Sequence, residues 1–287
     1  MGHIPDIGRR ERLPASLGIP DYAGDHHLLG RPVLPAVDAM EALAQGVRSH
    51  DSDLPVSVMR AIRFDKFLYL DHQSAGIDAF VDIEVLESGA LGASLVTRSR
   101  APGGAITRTK AHASAVFSRE SPPPSTPAAD PASLRADETI RPETIYRDLV
   151  PFGPAYRNLG SPVSLSPEGA WARLQSPEFT GDRTDRLLGN GFPLDAAFHV
   201  ACVWGQRYVG IVGFPVAIDW RVVNDPLTGG LIYDCRVQPR EIASAGFTVD
   251  LWIWDARGRL RETAAGLTMR DVSGGKLKPT GTVRFPS

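Results

Sequence analysis

The chain contains little cysteine and almost no excess charge. Of its 287 residues, only Cys202 and Cys235 are cysteines, and both lie in apolar segments without the spacing of a disulfide framework or a zinc site. We therefore expect them to be reduced core residues. The 31 Lys and Arg nearly balance the 33 Asp and Glu, which gives a formal net charge of -2. Such a balance creates no strong field to attract nucleic acid or an anionic membrane surface.

Long apolar runs and cofactor motifs are also missing. The N-terminal sequence MGHIPDIGRRERLP has no apolar run of signal-peptide length, and no stretch elsewhere approaches the length of a membrane span. No glycine pattern matches a phosphate-binding loop, and no metal-ligand spacing occurs. The sequence predicts a cytoplasmic globular protein that needs no bound metal or cofactor.

A segment rich in proline, serine and alanine divides the chain. Residues 118–138, SRESPPPSTPAADPASLRADE, contain almost nothing to bury and are predicted to form a linker. The segment separates a front part, residues 1–117, from a back part, residues 139–287. We therefore expect two domains joined by this linker.

Each part is predicted to contain one apolar helix followed by a meander of strands. The front part should begin with a loop, and its helix should lie in VLPAVDAMEALAQGVRS; the back helix should lie in PLDAAFHVACVWGQRYV. Runs typical of half-buried strands then follow in both parts. They are AIRFDKFLYL, GIDAFVDIEVLE, LGASLVTRSR and AITRTKAHASAVF in front, and FPVAIDWRVV, LIYDCRVQ, GFTVDLWIWDA and RLRETAAGLTMR behind.

The two parts align element by element, which indicates an internal duplication. At an offset of roughly 154 residues, Gly92 falls on Gly246 and Glu41 falls on Asp195. Few residues are shared, so the evidence is the order and spacing of the elements. A long apolar helix wrapped by an antiparallel sheet is the hot-dog arrangement. We predict an α+β double hot-dog fold, in preference to a generic α+β domain with coincidental spacing.

Three motifs occur in the order and spacing of a known family. HHLLGRPVLP, from His26 to Pro35, fits a motif HxxxGxxxxP. FGPAY, residues 152–156, is similar to YGPxF, and PLDAAFH supplies Asp195 and His199 for a motif DxxxQ/H. Across nearly the whole chain, these motifs resemble those of polyketide synthase dehydratase domains.

The resemblance implies the dehydration of a β-hydroxyacyl thioester, carried on an acyl carrier protein, to the α,β-unsaturated thioester. The α-proton is weakly acidic, so a base of near-neutral pKa must remove it, and histidine suits that task. The departing hydroxyl needs a proton, which a carboxylic acid with a pKa raised by apolar surroundings can supply. These roles fall to His26 as base and Asp195 as acid, with His199 orienting Asp195.

The resemblance also implies how substrate would bind. Backbone N–H groups around Gly30 and at the helix start beside Pro35 would face the thioester oxygen, helped by the helix dipole. Gly153, Pro154 and Tyr156 would shape the pocket. The acyl chain would occupy a tunnel entered by the carrier's phosphopantetheine arm, and two copies of the chain would form a homodimer.

The choice between two adjacent histidines stays open in part. In smaller fatty-acid dehydratases, which RPVLPAVDAMEALAQ also resembles, the glycine is the third residue after the histidine, and that count selects His27. The Asp25–His26 pair and the back-half motifs favour His26. The back half has no histidine at the repeat position, so Glu41 is expected to be a relic or a structural residue.

Two departures and two alternative functions accompany this interpretation. Phe152 stands where tyrosine is common, which removes a hydroxyl, and Ala36 stands where glycine usually follows the proline. The same acid and base could serve a double-bond isomerase or a cyclase in which a hydroxyl adds to the alkene. A non-catalytic acyl-binding module is the remaining alternative.

Overall fold

The computed structural model describes residues 8–71, 76–87, 89–100, 107–120, 130, 134–178 and 186–281. The chain divides into two compact units, Met1–Pro122 and Pro123–Ser287. Most of the linker predicted at residues 118–138 lies outside the described residues. In the part of the chain that the structure describes, no helix is long and apolar enough to cross a membrane.

The first unit places one helix against an antiparallel sheet. The helix is α1 (Ala36–His50), and a 3-10 turn, Asp21–Asp25, precedes it. The strands are β1 (Arg10–Gly18), β2 (His27–Leu28), β3 (Arg31–Pro32), β4 (Val58–Phe64), β5 (Gly76–Val85), β6 (Leu91–Arg100) and β7 (Thr107–Phe117). In the sheet the order is β1-β5-β6-β7-β4, and β2 pairs with β3 as a separate hairpin.

The apolar periodicity of α1 decides which side faces the sheet. Met40, Leu43 and Val47 are fully buried, and burial of each such side chain stabilises the fold by about 1.5–3 kcal/mol. Gly46 lies where the helix approaches β5 most closely, because a Cβ there would be 2.6 Å from Cγ1 of Val81. The helix therefore packs on the sheet through a contact that a larger residue would disturb.

The loop predicted at the start of the chain is wrong, because residues 10–18 form strand β1. This strand pairs antiparallel with β5 and lies at the sheet edge. Pro14 obscured it in the sequence, since proline lacks an N–H and is tolerated only where one side of a strand is unpaired. An edge strand meets that condition.

The second unit repeats this arrangement with additional elements. It contains the helices α2 (Pro142–Thr144) and α3 (Phe192–Tyr208), a π-helical turn, Ile145–Leu149, and a 3-10 turn, Pro154–Tyr156. Its strands are β8 (Glu138–Ile140), β9 (Val163–Ser166), β10 (Gly169–Gln175), β11 (Phe214–Val223), β12 (Ile232–Ala243), β13 (Gly246–Trp254) and β14 (Leu260–Arg270). The sheet order is β11-β14-β13-β12-β10-β9-β8.

The strand pairings confirm the predicted duplication. In each unit the first strand after the long helix pairs with the last, as β4 does with β7 and β11 with β14. The intervening strands pair in sequence, and an earlier strand, β1 or β10, pairs with the second one. Both units are thus hot dogs, and the predicted double hot-dog fold is confirmed.

Helix α3 is enclosed by its surroundings almost completely. Apart from Arg207, each of its residues is buried, as expected of a helix that is apolar nearly all round. Two of its polar side chains donate to backbone carbonyls: Trp204 Nε1 to that of Ser166 and Gln206 Nε2 to that of Leu149, each at 2.9 Å. The second bond fixes the π-helical turn against α3.

Both cysteines are buried and reduced, as predicted. Burial raises the pKa of the Cys202 thiol to about 11 and raises that of Cys235 further. Both thiols therefore stay protonated near neutral pH and behave as small apolar core groups.

Candidate active site

The first turn of α3 carries a buried carboxylate. Phe192 at the helix start donates its backbone N–H to Asn190 Oδ1 at 3.0 Å, and the N–H of Asp195 donates to the carbonyl of Gly191, also at 3.0 Å. Asp195 is only 3% exposed. The first turn of α3 therefore holds a carboxyl group in an apolar interior.

His199 lies one turn further along α3 and meets Asp195. Its Nε2 atom is 3.1 Å from Oδ2 of Asp195, and both side chains are nearly inaccessible to water. The two atoms are close, although their alignment falls short of a good hydrogen bond. The contact that the sequence predicted is therefore present, and the orienting role of His199 stays a prediction.

Tyr146 contacts the other nitrogen of His199, and sequence reasoning missed it. Its hydroxyl accepts the backbone N–H of Leu159 at 3.1 Å and lies 3.4 Å from Nδ1 of His199. Burial raises the pKa of this hydroxyl far above its usual value, so it stays protonated. Tyr146 lies in the π-helical turn outside the three motifs, and no spacing in the sequence connects it with α3.

Aromatic rings from the FGPAY segment pack beside the imidazole. The ring of Phe152 has its centroid 5.0 Å from that of His199 and 6.4 Å from that of Tyr156, which in turn lies 5.2 Å from Phe192. Gly153 and Pro154 form the turn between the two FGPAY rings. The segment thus presents apolar surface to His199, and no hydroxyl from position 152.

In the first unit, His26 has the hydrogen bond expected of a catalytic base. Its Nδ1 atom is 3.0 Å from the carbonyl oxygen of Val33. A carbonyl can only accept, so Nδ1 carries the proton of the neutral ring and Nε2 carries the lone pair. His27 lies in strand β2 opposite Pro32. The choice of His26 over His27 and its role as base stay predictions.

The predicted substrate-binding residues of this unit, Gly30 and Pro35, follow His26 closely along the chain. Gly30 follows Leu29 at the turn of the β2–β3 hairpin, with φ angles of 76° and 50°. Both values lie in the left-handed region, where glycine is favoured. Pro35 is buried and caps α1, accepting the N–H of Asp38 through its carbonyl at 3.1 Å. Their binding roles stay predictions.

Helix α1 contains a pair that corresponds to Asp195 and His199. Glu41 is buried, and its Oε1 accepts a hydrogen bond from Gln45 Nε2 at 3.0 Å. A carboxylate and an amide one turn apart support a structural role for Glu41. The back-half positions equivalent to the histidines, near residues 180 and 181, lie outside the described residues.

The catalytic pair predicted from sequence combines residues of different units. The structure brings Asp195, His199 and the FGPAY segment together in the second unit, whereas His26 lies in the first and contacts Val33. The joint action of His26 and Asp195 stays a prediction.

The chain thus contains two hot-dog units, and the second holds a buried carboxyl group beside an imidazole. A family model described as the polyketide synthase dehydratase N-terminal domain matches residues 122–279, which is more than half of the chain. The chain belongs to the polyketide synthase dehydratase family. Comparison with curated protein sequences finds no match.

Solved dehydratase domains share the fold over nearly the whole chain. The dehydratase domain of a mycocerosic acid synthase-like polyketide synthase is 16% identical, with a TM-score of 0.75, over 95% of this chain and 94% of that one. The dehydratase domain of the CurF module of curacin polyketide synthase is 15% identical, with a TM-score of 0.74, over 93% and 96%. A trans-AT dehydratase domain from Brevibacillus brevis is 16% identical, with a TM-score of 0.74, over 91% and 93%.

Proposed function

We propose that the protein removes water from a β-hydroxyacyl thioester held on the phosphopantetheine arm of an acyl carrier protein. One observation carries the proposal. A member of a dehydratase family holds Asp195 buried in the first turn of α3, in contact with His199. A carboxyl group in such surroundings is suited to hold a proton and deliver it to a leaving group.

The reaction balances with these two groups alone. Nε2 of His26 takes the α-proton, and the electrons of that C–H bond form the new α,β double bond. The β-carbon–oxygen bond breaks, and the hydroxyl leaves as water with the proton of Asp195. His26 is then an imidazolium and Asp195 a carboxylate, and proton exchange with solvent restores both. Each group is expected to supply about 10²–10⁴-fold in rate, without a metal or cofactor.

The binding roles follow from the positions of the remaining residues. The N–H groups near Gly30 and at the start of α1 beside Pro35 would stabilise negative charge on the thioester oxygen. Gly153, Pro154 and Tyr156 would shape the apolar wall that contacts the acyl chain. A cytoplasmic location and a homodimer are part of the same proposal.

Product analysis with the full chain tests this function. The protein is incubated with a β-hydroxyacyl thioester of pantetheine, and the product is examined by mass spectrometry and proton NMR. Dehydration predicts the loss of one water and the appearance of conjugated vinyl protons. An isomerase would move the double bond of an unsaturated thioester without a change of mass, and a cyclase would add an internal hydroxyl to it.

Separate variants of the adjacent histidines test the choice of base. His26→Ala should lower the rate of water loss by about 10²-fold or more, whereas His27→Ala should retain most of it. A reversal of the two results would move the catalytic role to His27. If neither the unaltered protein nor its variants turn over any thioester but bind acyl chains tightly, the protein is a binding module.

A further inference from the structure

The neighbours of the Tyr146 hydroxyl determine the direction of its proton. Its oxygen accepts the backbone N–H of Leu159 at 3.1 Å, and an N–H cannot accept the phenol proton in return. Among the described residues, the other group in hydrogen-bond range of the hydroxyl is Nδ1 of His199 at 3.4 Å. The phenol proton is therefore directed to that nitrogen.

This donation determines which nitrogen of the imidazole carries its own proton. A neutral histidine has one N–H and one lone pair. Because Nδ1 accepts from Tyr146, the proton of His199 lies on Nε2, which faces Oδ2 of Asp195 at 3.1 Å. Even without an aligned hydrogen bond, an N–H this close disfavours a second proton on Oδ2, so a proton held by the carboxyl group belongs on Oδ1.

The opposite tautomer of His199, with its proton on Nδ1, would move the carboxyl proton of Asp195 to Oδ2. A lone pair on Nε2 would attract the carboxyl proton to Oδ2, where it would be shared with His199. That proton would then be held inside α3, away from a leaving hydroxyl. We propose that Tyr146 is a positioning residue that fixes the Nε2–H tautomer of His199 and thereby keeps the acidic proton of Asp195 on Oδ1. Its effect on turnover rests on the proposed dehydratase function, whereas its effect on the tautomer does not.

Nitrogen NMR of the imidazole tests the tautomer directly. The protein is labelled with ¹⁵N-histidine, and the ¹⁵N signals of the rings are recorded at about pH 8, where an ordinary histidine is neutral. The signals of His199 are identified as those missing from the spectrum of His199→Gln. The unaltered protein should show the proton on Nε2. In Tyr146→Phe, which keeps the ring and loses the hydroxyl, a substantial population should move the proton to Nδ1.

A matched variant controls for the loss of a buried hydroxyl. The phenol oxygen of Tyr233 also accepts a backbone N–H, that of Thr228 at 2.9 Å, but Tyr233 lies in β12, outside the candidate site. Tyr233→Phe should therefore cost similar stability and leave the tautomer of His199 unchanged. The proposal is overturned if the unaltered protein carries the proton on Nδ1, or if Tyr146→Phe leaves the tautomer as it was.

Kinetics connect the tautomer with catalysis. With a β-hydroxyacyl thioester, Tyr146→Phe should lower kcat by about 10- to 100-fold with little change in KM, as expected when a group that orients a catalytic residue is lost. Tyr233→Phe should keep near-normal kcat. Equal kcat for Tyr146→Phe and the unaltered protein would overturn the catalytic part. If the tautomer shifts as expected but the unaltered protein dehydrates no thioester, the proposed function fails and the tautomer assignment stands.

Discussion

Replacing Gly46 by alanine tests how α1 is packed on its sheet. A Cβ at this position would lie 2.6 Å from Cγ1, 2.7 Å from Cβ and 3.0 Å from Cγ2 of Val81. Val81 is 1% exposed and β-branched, so it has little freedom to rotate away. Alanine gains about 1 kcal/mol of helix propensity over glycine. Overpacking costs about 1–3 kcal/mol or more, and a contact with three rigid atoms belongs at the upper end.

The expected net result is a loss of about 2 kcal/mol in the free energy of unfolding. For a chain of 287 residues, whose entropy of unfolding is about 0.6 kcal/mol/K, that loss corresponds to a decrease of about 3 °C in Tm. Urea unfolding followed by circular dichroism measures it. Gly18→Ala is the control, because a Cβ there has no atom within 4 Å, and it should change stability by less than about 0.5 kcal/mol.

A second substitution identifies the contact. In the presence of Gly46→Ala, the change Val81→Ala should cost at least about 1 kcal/mol less than it does alone, because it removes the overlap. If Gly46→Ala were as stable as the unaltered protein, or if the two substitutions were additive, the close approach of α1 to β5 would be refuted.

Two further predictions concern buried charge. Arg221 and Glu262 form a fully buried ion pair at 2.6 Å. Glu262→Gln should lower the free energy of unfolding by about 3–5 kcal/mol, because Arg221 then keeps an uncompensated charge. Urea unfolding identical to that of the unaltered protein would contradict this prediction. Burial lowers the pKa of His112, whose Nδ1 is 3.1 Å from the carbonyl of Lys66 and whose Nε2 is 2.8 Å from Thr97 Oγ1. The unfolded chain therefore binds a proton at His112 more readily than the folded chain does. The stability that neutral His112 contributes is complete above the ordinary pKa of 6.5 and is lost as the pH falls below that value. As the pH is lowered below 6.5, Tm should therefore fall less steeply in His112→Gln than in the unaltered protein. Equal slopes for the two proteins would contradict this prediction.

The main helices and most strands were predictable because their apolar periodicity is regular. FPVAIDWRVV was expected to form a strand, and β11 covers the same residues, Phe214–Val223. Strand β10 was missed because its burial does not alternate. Trp171 on its outer side is also buried, in a cluster with Leu134 and a stacked Trp254. A strand covered on both sides loses the alternation of period two by which strands are recognised.

The candidate site contains some residues that a sequence pattern reveals and one that only tertiary packing brings to the site. Asp195 and His199 were predictable because a helix brings positions four residues apart onto one face. Tyr146 was not, because its contact with His199 depends on the packing of the π-helical turn against α3. The bond from Gln206 to the carbonyl of Leu149 fixes that packing, and no pattern along the chain shows it.

Turnover of a β-hydroxyacyl thioester by the variant Asp195→Asn is the decisive measurement of whether Asp195 is the acid. Asparagine keeps the shape of the side chain but has no acidic proton to give. We expect a folded protein whose rate of water loss is about 10²–10⁴-fold below that of the unaltered chain. Water loss at a near-normal rate by this variant would contradict the assignment of Asp195 as the acid.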